Sequence, residues 1–258
     1  MIPLTDRYDG GRWSGRTRDI QADALAIDGT ALAALGCWLT DARLGDAAPS
    51  TAYGDMPLRA GGIDQTLEGP CGKAVPGRRP CEFDIATDCD AADRAWTRFA
   101  LGAYLGKTVE VLYAPLQACL RGRLSAGPWS DSNGISTCTL ALNAEPYALG
   151  ESKTSTGSVV VEGSAWAEPV LDITVETARP NIDVALDGLR VMRIPSASGN
   201  FPAGARLTVD AAAHAVKVNG NPACPTLDSD WPVLTPGPHK VACDGCDIRI
   251  AWRERYMF

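Results

Sequence analysis

Histidine is nearly absent from this sequence, which holds only His214 and His239 in 258 residues. Neither has a carboxylate or nucleophile at triad spacing or a partner at zinc spacing, so both are expected to be exposed hairpin residues. The patterns G-x-S-x-G, H-E-x-x-H, the Walker loop and G-x-G-x-x-G are missing too. Gly61-Gly62 lacks the strand-then-helix context of a phosphate loop, and the many acids do not single out a catalytic pair. No positive case arises for an enzyme, a cofactor or a metal. No apolar run approaches the ~18 residues of a membrane span. The opening stretch MIPLTDRYDGGRWSGRTRD has no apolar h-region, so no secretory leader is expected. Clustered Lys and Arg are missing as well: residues 1–150 carry 14 basic and 18 acidic residues, residues 151–258 carry 10 and 13, and the net charge is -7. That excludes a groove built to grip phosphates, whereas a passage through which nucleic acid slides would want such a non-adhesive surface.

What is present is the composition of a soluble globular protein, 45% apolar and 21% charged. The length allows one large domain or two ordinary ones, with no need of staples. The nine cysteines, at 37, 71, 81, 89, 119, 138, 224, 243 and 246, are odd in number and scattered. Most are expected to be small buried hydrophobes rather than a disulfide framework.

Residues 1–23 read as an arm or entry segment. A strand is expected near 22–27, a turn at Asp28-Gly29, and a second strand near 35–44; "CEFDIAT" alternates as a strand does. One helix is expected over about 88–105. Thr87 or Asp88 can cap it, acids occupy its first turn, and Gly106 ends it. Ala92, Ala95, Trp96, Phe99, Ala100 and Ala103 mark its apolar face, and Trp96 and Phe99 are expected in the core. "TVEVLYA" and "ACLRGRLSAG" look like a strand pair, and "ISTCTLALNAEPYAL" alternates up to Pro146-Tyr147. "GESKTSTG", residues 150–157, reads as a connector. Beyond it, turn signals separate short strands every eight to twelve residues, which argues for an all-β sandwich. The expected architecture is mainly β: a domain over 1–150 with one helix, and a β-sandwich over 151–258.

Near the C-terminus "VACDGCDIRI" sets Cys243 and Cys246 around Asp244-Gly245. Four ligands make a tetrahedral zinc site and a lone C-x-x-C supplies two. Asp-Gly between strand-like runs is a strong hairpin signal. A hairpin tip with free thiols facing each other is the leading expectation, ahead of a cross-strand disulfide and of a metal pair.

The order of these pieces resembles the distal tail protein (Dit) family of siphophages, the long-tailed bacteriophages. "LGCWLTDARL" is similar to the family's early strand, and "RAGGIDQTL" to its Arg-x-Gly-x-apolar-Asp segment through Arg59, Gly61, Ile63 and Asp64. "RRPCEFDI" resembles the next strand, and "WTRFALGAYLGKTVEVLY" the helix that ends in Leu-x-Gly-Lys. "RGRLSAGPWSDSNGISTCTLALNAEPYAL" resembles the strands closing the first domain, while "GARLTVDAAAHAVKVNG" and "DSDWPVLTPGPHKVACDGCDIRIAWRERY" resemble the last third. Ala60 and Pro76 depart from the family, standing where an acidic residue and an aromatic are common.

The resemblance implies a structural, non-enzymatic virion protein at the distal end of the tail, made in the host cytoplasm. It implies an N-terminal β-sandwich or barrel-like domain with one helix that forms a six-membered ring, and a galectin-like C-terminal sandwich whose last hairpin is "VACDGCDIRI". The implied partners are further copies of the chain, the tail tube protein, the tail-associated lysin or fibre hub, and receptor-binding or other baseplate proteins. DNA would pass through the lumen without specific binding, and no membrane is involved. Arg59, Gly61 and Asp64 are the expected subunit-interface residues, with a local loop salt bridge as the competing explanation. The alternative function is a carbohydrate-binding adhesion module. The Trp-Gly-x-Glu sugar-site pattern is lacking, and Trp252, Arg253 and Glu254 alternate faces on a strand.

Overall fold

The computed structural model describes residues 24–54, 63–70, 72, 74–88, 91–132 and 134–257. Two compact units divide the chain: the first reaches to Leu149, interrupted by Glu68–Lys73, which belong with the second; the second otherwise runs Gly150–Met257.

The first unit opens with β1 (Leu25–Ile27) and β2 (Thr30–Ala31). Asp28 and Gly29 join them with φ of 46° and 78°, the two left-handed residues that a tight hairpin matched to strand twist requires. The Asp28 carboxylate accepts the Glu110 N–H at 2.8 Å, which ties this turn to a later strand. A 3-10 turn over Leu32–Leu35 ends at Gly36 and leads into β3 (Trp38–Leu44). Two short strands follow, β4 (Tyr53–Gly54) and β5 (Ile63–Asp64), paired with each other. Then come β6 (Arg79–Asp88), helix α1 (Ala91–Gly102), β7 (Thr108–Tyr113), β8 (Ala118–Ala126), β9 (Ser130–Ser132) and β10 (Ile135–Ser155). The strand order is β3-β6-β10-β8-β7-β1-β2, with β9 also on β10, and all pairs are antiparallel. The inward residues of this sheet close on one core that includes Ile27, Phe83, Val111, Leu120, Leu140 and Leu142. Period-two alternation in "CEFDI" and "CTLAL" produces this inward face.

Two expectations change here. Residues 150–155, read as a connector, continue β10 as strand. The Gly and Pro that suggest a break mark a bulge: the β10–β8 register shifts between Ala144 and Ala148, around Pro146, and a bulge is where a strand tolerates proline. Gly122 faces that bulge from β8, where a Cβ would lie 2.6 Å from the Ala144 Cα. Helix α1 is shorter than expected, and Thr87 does not cap it. Thr87 is fully buried in β6 and donates its hydroxyl to the Gly36 carbonyl at 2.7 Å.

The second unit adds β11 (Ser158–Val161), β12 (Val170–Val175), β13 (Asn181–Leu186), β14 (Leu189–Pro195), β15 (Arg206–Asp210), β16 (Ala215–Val218), β17 (Asn221–Ala223), β18 (Gly237–Cys243) and β19 (Cys246–Tyr256). One sheet runs β17-β16-β15-β12-β19 and continues to the end of β10; the other runs β11-β18-β13-β14. Val161, Val184 and Ile194 from one sheet meet Ile173, Val209 and Ile250 from the other in a single core, the mark of a sandwich. Asn219-Gly220, with φ of 48° and 83°, turns β16 into β17. The protein is mainly β, with one α-helix among the described residues.

The "CDGC" stretch corrects a further expectation. Its turn exists, with Gly245 at φ 58°, but β18 and β19 lie in different sheets. Cys243 pairs with Val184 in one layer and Cys246 with Val175 in the other. Asp244-Gly245 is therefore a corner between layers rather than the tip of a hairpin ladder. The Arg179 guanidinium occupies the space where a Cβ on residue 245 would stand, and the Gly245 carbonyl accepts the Glu176 N–H at 3.1 Å.

Candidate assembly surfaces

Helix α1 packs on its domain through Thr97 and Leu101, both buried. The Thr97 hydroxyl lies 3.3 Å from the Gly36 carbonyl and 3.3 Å from the Thr87 hydroxyl. Gly36 takes a left-handed φ of 77°, and a Cβ there would sit 2.8 Å from the Thr97 Oγ1. This polar knot fixes which side of the helix is buried: Ala100 packs against the core, whereas Trp96 and Phe99 turn outward. Trp96 is 58% exposed and Phe99 77%, their ring centroids 6.2 Å apart. Ala95, Gly102 and Ala103 are exposed beside them. The expectation that Trp96 and Phe99 fill the core is thus overturned: helical periodicity identifies an apolar stripe but not what covers it. Arg94 and Arg98 flank the pair and share Asp131, Arg98 at 3.9 Å, and Arg98 stands 5.1 Å over the Trp129 ring. The Ser136 hydroxyl, ahead of the two guanidiniums, holds the Asp131 carboxyl below its usual range against a smaller opposing effect of burial.

Large apolar side chains are also exposed in the stretch of chain about β4 and β5, between β3 and β6. Tyr53 is 69% exposed and Leu67 77%, with Val75 also exposed. Asp64, which pairs with Tyr53, is exposed as well. Of the three expected interface residues, Arg59 and Gly61 lie outside the described residues. Asp64 ends β5, where its carboxylate accepts the Thr66 N–H at 2.9 Å. The Thr66 hydroxyl and N–H keep that carboxyl below its usual range.

In the second unit a cleft of about 740 Å³ is lined by Pro195, Ser198, Asn200, Phe201, Asn219 and Pro222, among others, and no charged side chain is among its lining. His239, expected to be exposed, is nearly buried: Asp187 Oδ2 lies 2.7 Å from its Nδ1 and the Thr235 carbonyl 2.7 Å from its Nε2. His214 is exposed as expected and stacks on Trp231, centroids 4.9 Å apart. Trp252 and Glu254 share one face of β19, both buried. The seven described cysteines are free thiols: 37, 81, 138 and 243 buried, 119 and 246 partly buried, 224 exposed. No cluster of three His, Cys, Asp or Glu that could hold a metal ion occurs among the described residues.

These features define a two-unit, mainly β protein that exposes an aromatic pair on α1. Residues 162–256 match the family described as siphovirus-type tail component, C-terminal domain. The fold is similar to the crystal structure of the Dit protein of phage SPP1, described as a paradigm of the hub adsorption apparatus in phages infecting Gram-positive bacteria. That similarity has a TM-score of 0.69 and 18% identity, and covers 91% of this chain and 99% of that one. No curated protein sequence matches the chain. Likeness to a tail component in sequence thus covers residues 162–256, and likeness in fold to a Dit protein covers most of the chain.

Proposed function

We propose that the protein is a structural component of the phage tail tip: a distal tail hub whose copies form a ring, six in number, between the tail tube and the tail-tip or fibre complex. On this reading the first domain forms the ring, its lumen continues the DNA channel, and the galectin-like second domain faces other baseplate proteins. The protein is then not an enzyme. The observation that carries the reading is the coincidence of a tail-component sequence match in residues 162–256 with a hub-protein fold over 91% of the chain. The net charge of -7 agrees with a passage to which DNA does not adhere. Outward aromatics on α1 agree with a chain that completes its burial by assembly. Immunogold labelling of intact virions with antibodies to the chain tests the placement. Gold at the distal tail end is the expected result; gold on the head, or absent from tails, contradicts it.

A further inference from the structure

We propose that Cys243 and Cys246 form a redox-modification site: two thiols that close to a disulfide in an oxidising medium and lock the corner between the two sheets of the second unit. The inference stands on the geometry of that corner and is independent of the tail-hub reading.

Cys243 ends β18 in one sheet and Cys246 opens β19 in the other. Asp244 and Gly245 turn the chain between them, Gly245 at φ 58°. The ends of such a four-residue turn lie within ~7 Å of each other, and a disulfide spans Cα separations of roughly 4.4–6.8 Å. The two side chains also share a direction: Cys243 is buried in the core of the sandwich, and Cys246 packs against the same core. The two thiols are hydrogen-bonded to each other. Cys37 and Cys138 are neighbours too, but both are buried, whereas the partly exposed Cys246 gives an oxidant an approach.

The oxidant is a small-molecule disulfide such as oxidised glutathione. The Cys246 thiolate attacks one of its sulfurs, the small molecule's S–S bond breaks, and one small thiolate leaves. Cys243 then gives up its proton and attacks the Cys246 sulfur, expelling the second small thiolate. Two electrons pass to the oxidant, and the two protons end on the two small thiols released. Burial first, then the Cys246 thiol, hold Cys243 in its protonated form, with the Arg179 guanidinium acting against them. A catalytic C-x-x-C has the opposite setting, a helix N-terminus that favours the thiolate. This pair ends one strand and opens the next, so it is a structural lock rather than a disulfide-exchange centre. The Gly245 carbonyl, inside the closed loop, accepts the Glu176 N–H at 3.1 Å and the Thr177 N–H at 3.4 Å. Closure therefore steadies the chain that leaves β12 together with the corner itself.

The test exposes the reduced full-length protein to oxidised glutathione, blocks the remaining thiols with N-ethylmaleimide in denaturant, and reads the tryptic peptides by mass spectrometry. The peptide Val241–Arg249, which carries both cysteines, is expected to lose two hydrogens and to retain no glutathione. The exposed Cys224 is expected to take up glutathione, which shows that the oxidant is active. Hydrogen exchange is the second readout. The Glu176 and Thr177 amides are expected to exchange roughly tenfold more slowly after oxidation of the unmodified chain, and at an unchanged rate in Cys246→Ser. A Val241–Arg249 peptide that stays a dithiol, keeps glutathione on Cys246 or is cross-linked to a second copy overturns the closure. Closure without slower exchange overturns the lock. Neither readout depends on ring assembly, so failure here leaves the tail-hub reading untouched.

Discussion

The Thr97 hydroxyl lies 3.3 Å from the Gly36 carbonyl oxygen, and this contact decides which side of α1 the domain buries. Gly36 is held there twice over, by its left-handed backbone and by the absence of a Cβ that would crowd Thr97. Gly36→Ala is therefore expected to destabilise the protein by about 2 kcal/mol, and Thr97→Val by about 1 kcal/mol through loss of a buried hydrogen bond. Urea unfolding measures both. A Gly36→Ala variant as stable as the parent would mean that the knot does not orient the helix.

The bend in β10 yields a second expectation. At Gly122 the Ala144 backbone stands too close for any side chain. Gly122→Ala must displace β8 from β10 at the bulge and is expected to cost roughly 2–3 kcal/mol, as for overpacking in a tight core. Thermal unfolding should show a clear fall in midpoint; no change would show that the bulge relaxes freely.

Local chemistry made much of this fold legible in the sequence. Asp28-Gly29 and Asn219-Gly220 sit at the turns expected of them, and alternation in "CEFDI" and "CTLAL" marks strands with one buried face. Non-local relations were not legible. Trp96 and Phe99 stand on an apolar stripe, but periodicity does not say whether a domain or a neighbour covers it. Pro146 and Gly150 look like breaks, yet one long strand absorbs them through a bulge. Asp244-Gly245 turns the chain as its residues require, but turn chemistry does not reveal that the flanking strands go to opposite layers. His239 is held by Asp187, fifty-two positions away, a pairing with no local signal.

Glu254 supplies a pH dependence. Burial works against its charge, but the Trp252 indole at 3.0 Å, the Gly163 N–H at 2.7 Å and Lys153 at 3.2 Å outweigh it. Together they hold the carboxyl below its usual range. Its folded value being below the unfolded one, the stabilisation is complete above the unfolded value and lost as pH falls through the folded one. Glu254→Gln is expected to lose about 2 kcal/mol at neutral pH, since its amide turns a donor towards a buried donor. The difference from the parent should shrink below about pH 4, near the ordinary glutamate value. A gap that stays constant from pH 7 to pH 3 would rule out a charged Glu254 as its source.

Thiol reactivity follows burial. Cys224 is exposed, whereas burial, with Cys138 adding to it, pushes the Cys37 thiol up to about 12. Burial first, then the neighbouring Cys246, pushes the Cys243 thiol up as well. Brief iodoacetamide labelling at pH 8, read by peptide mass spectrometry, should modify Cys224 at least tenfold faster than Cys37 or Cys243. Equal labelling would contradict the buried placement of those two thiols.

The central claim is that this chain builds a ring, and the most direct measurement is the solution mass of the purified full-length protein with negative-stain images of the same peak. The account predicts six times the chain mass and annular particles with an open centre. A chain that remains monomeric at every concentration, with no annular particles, would contradict it.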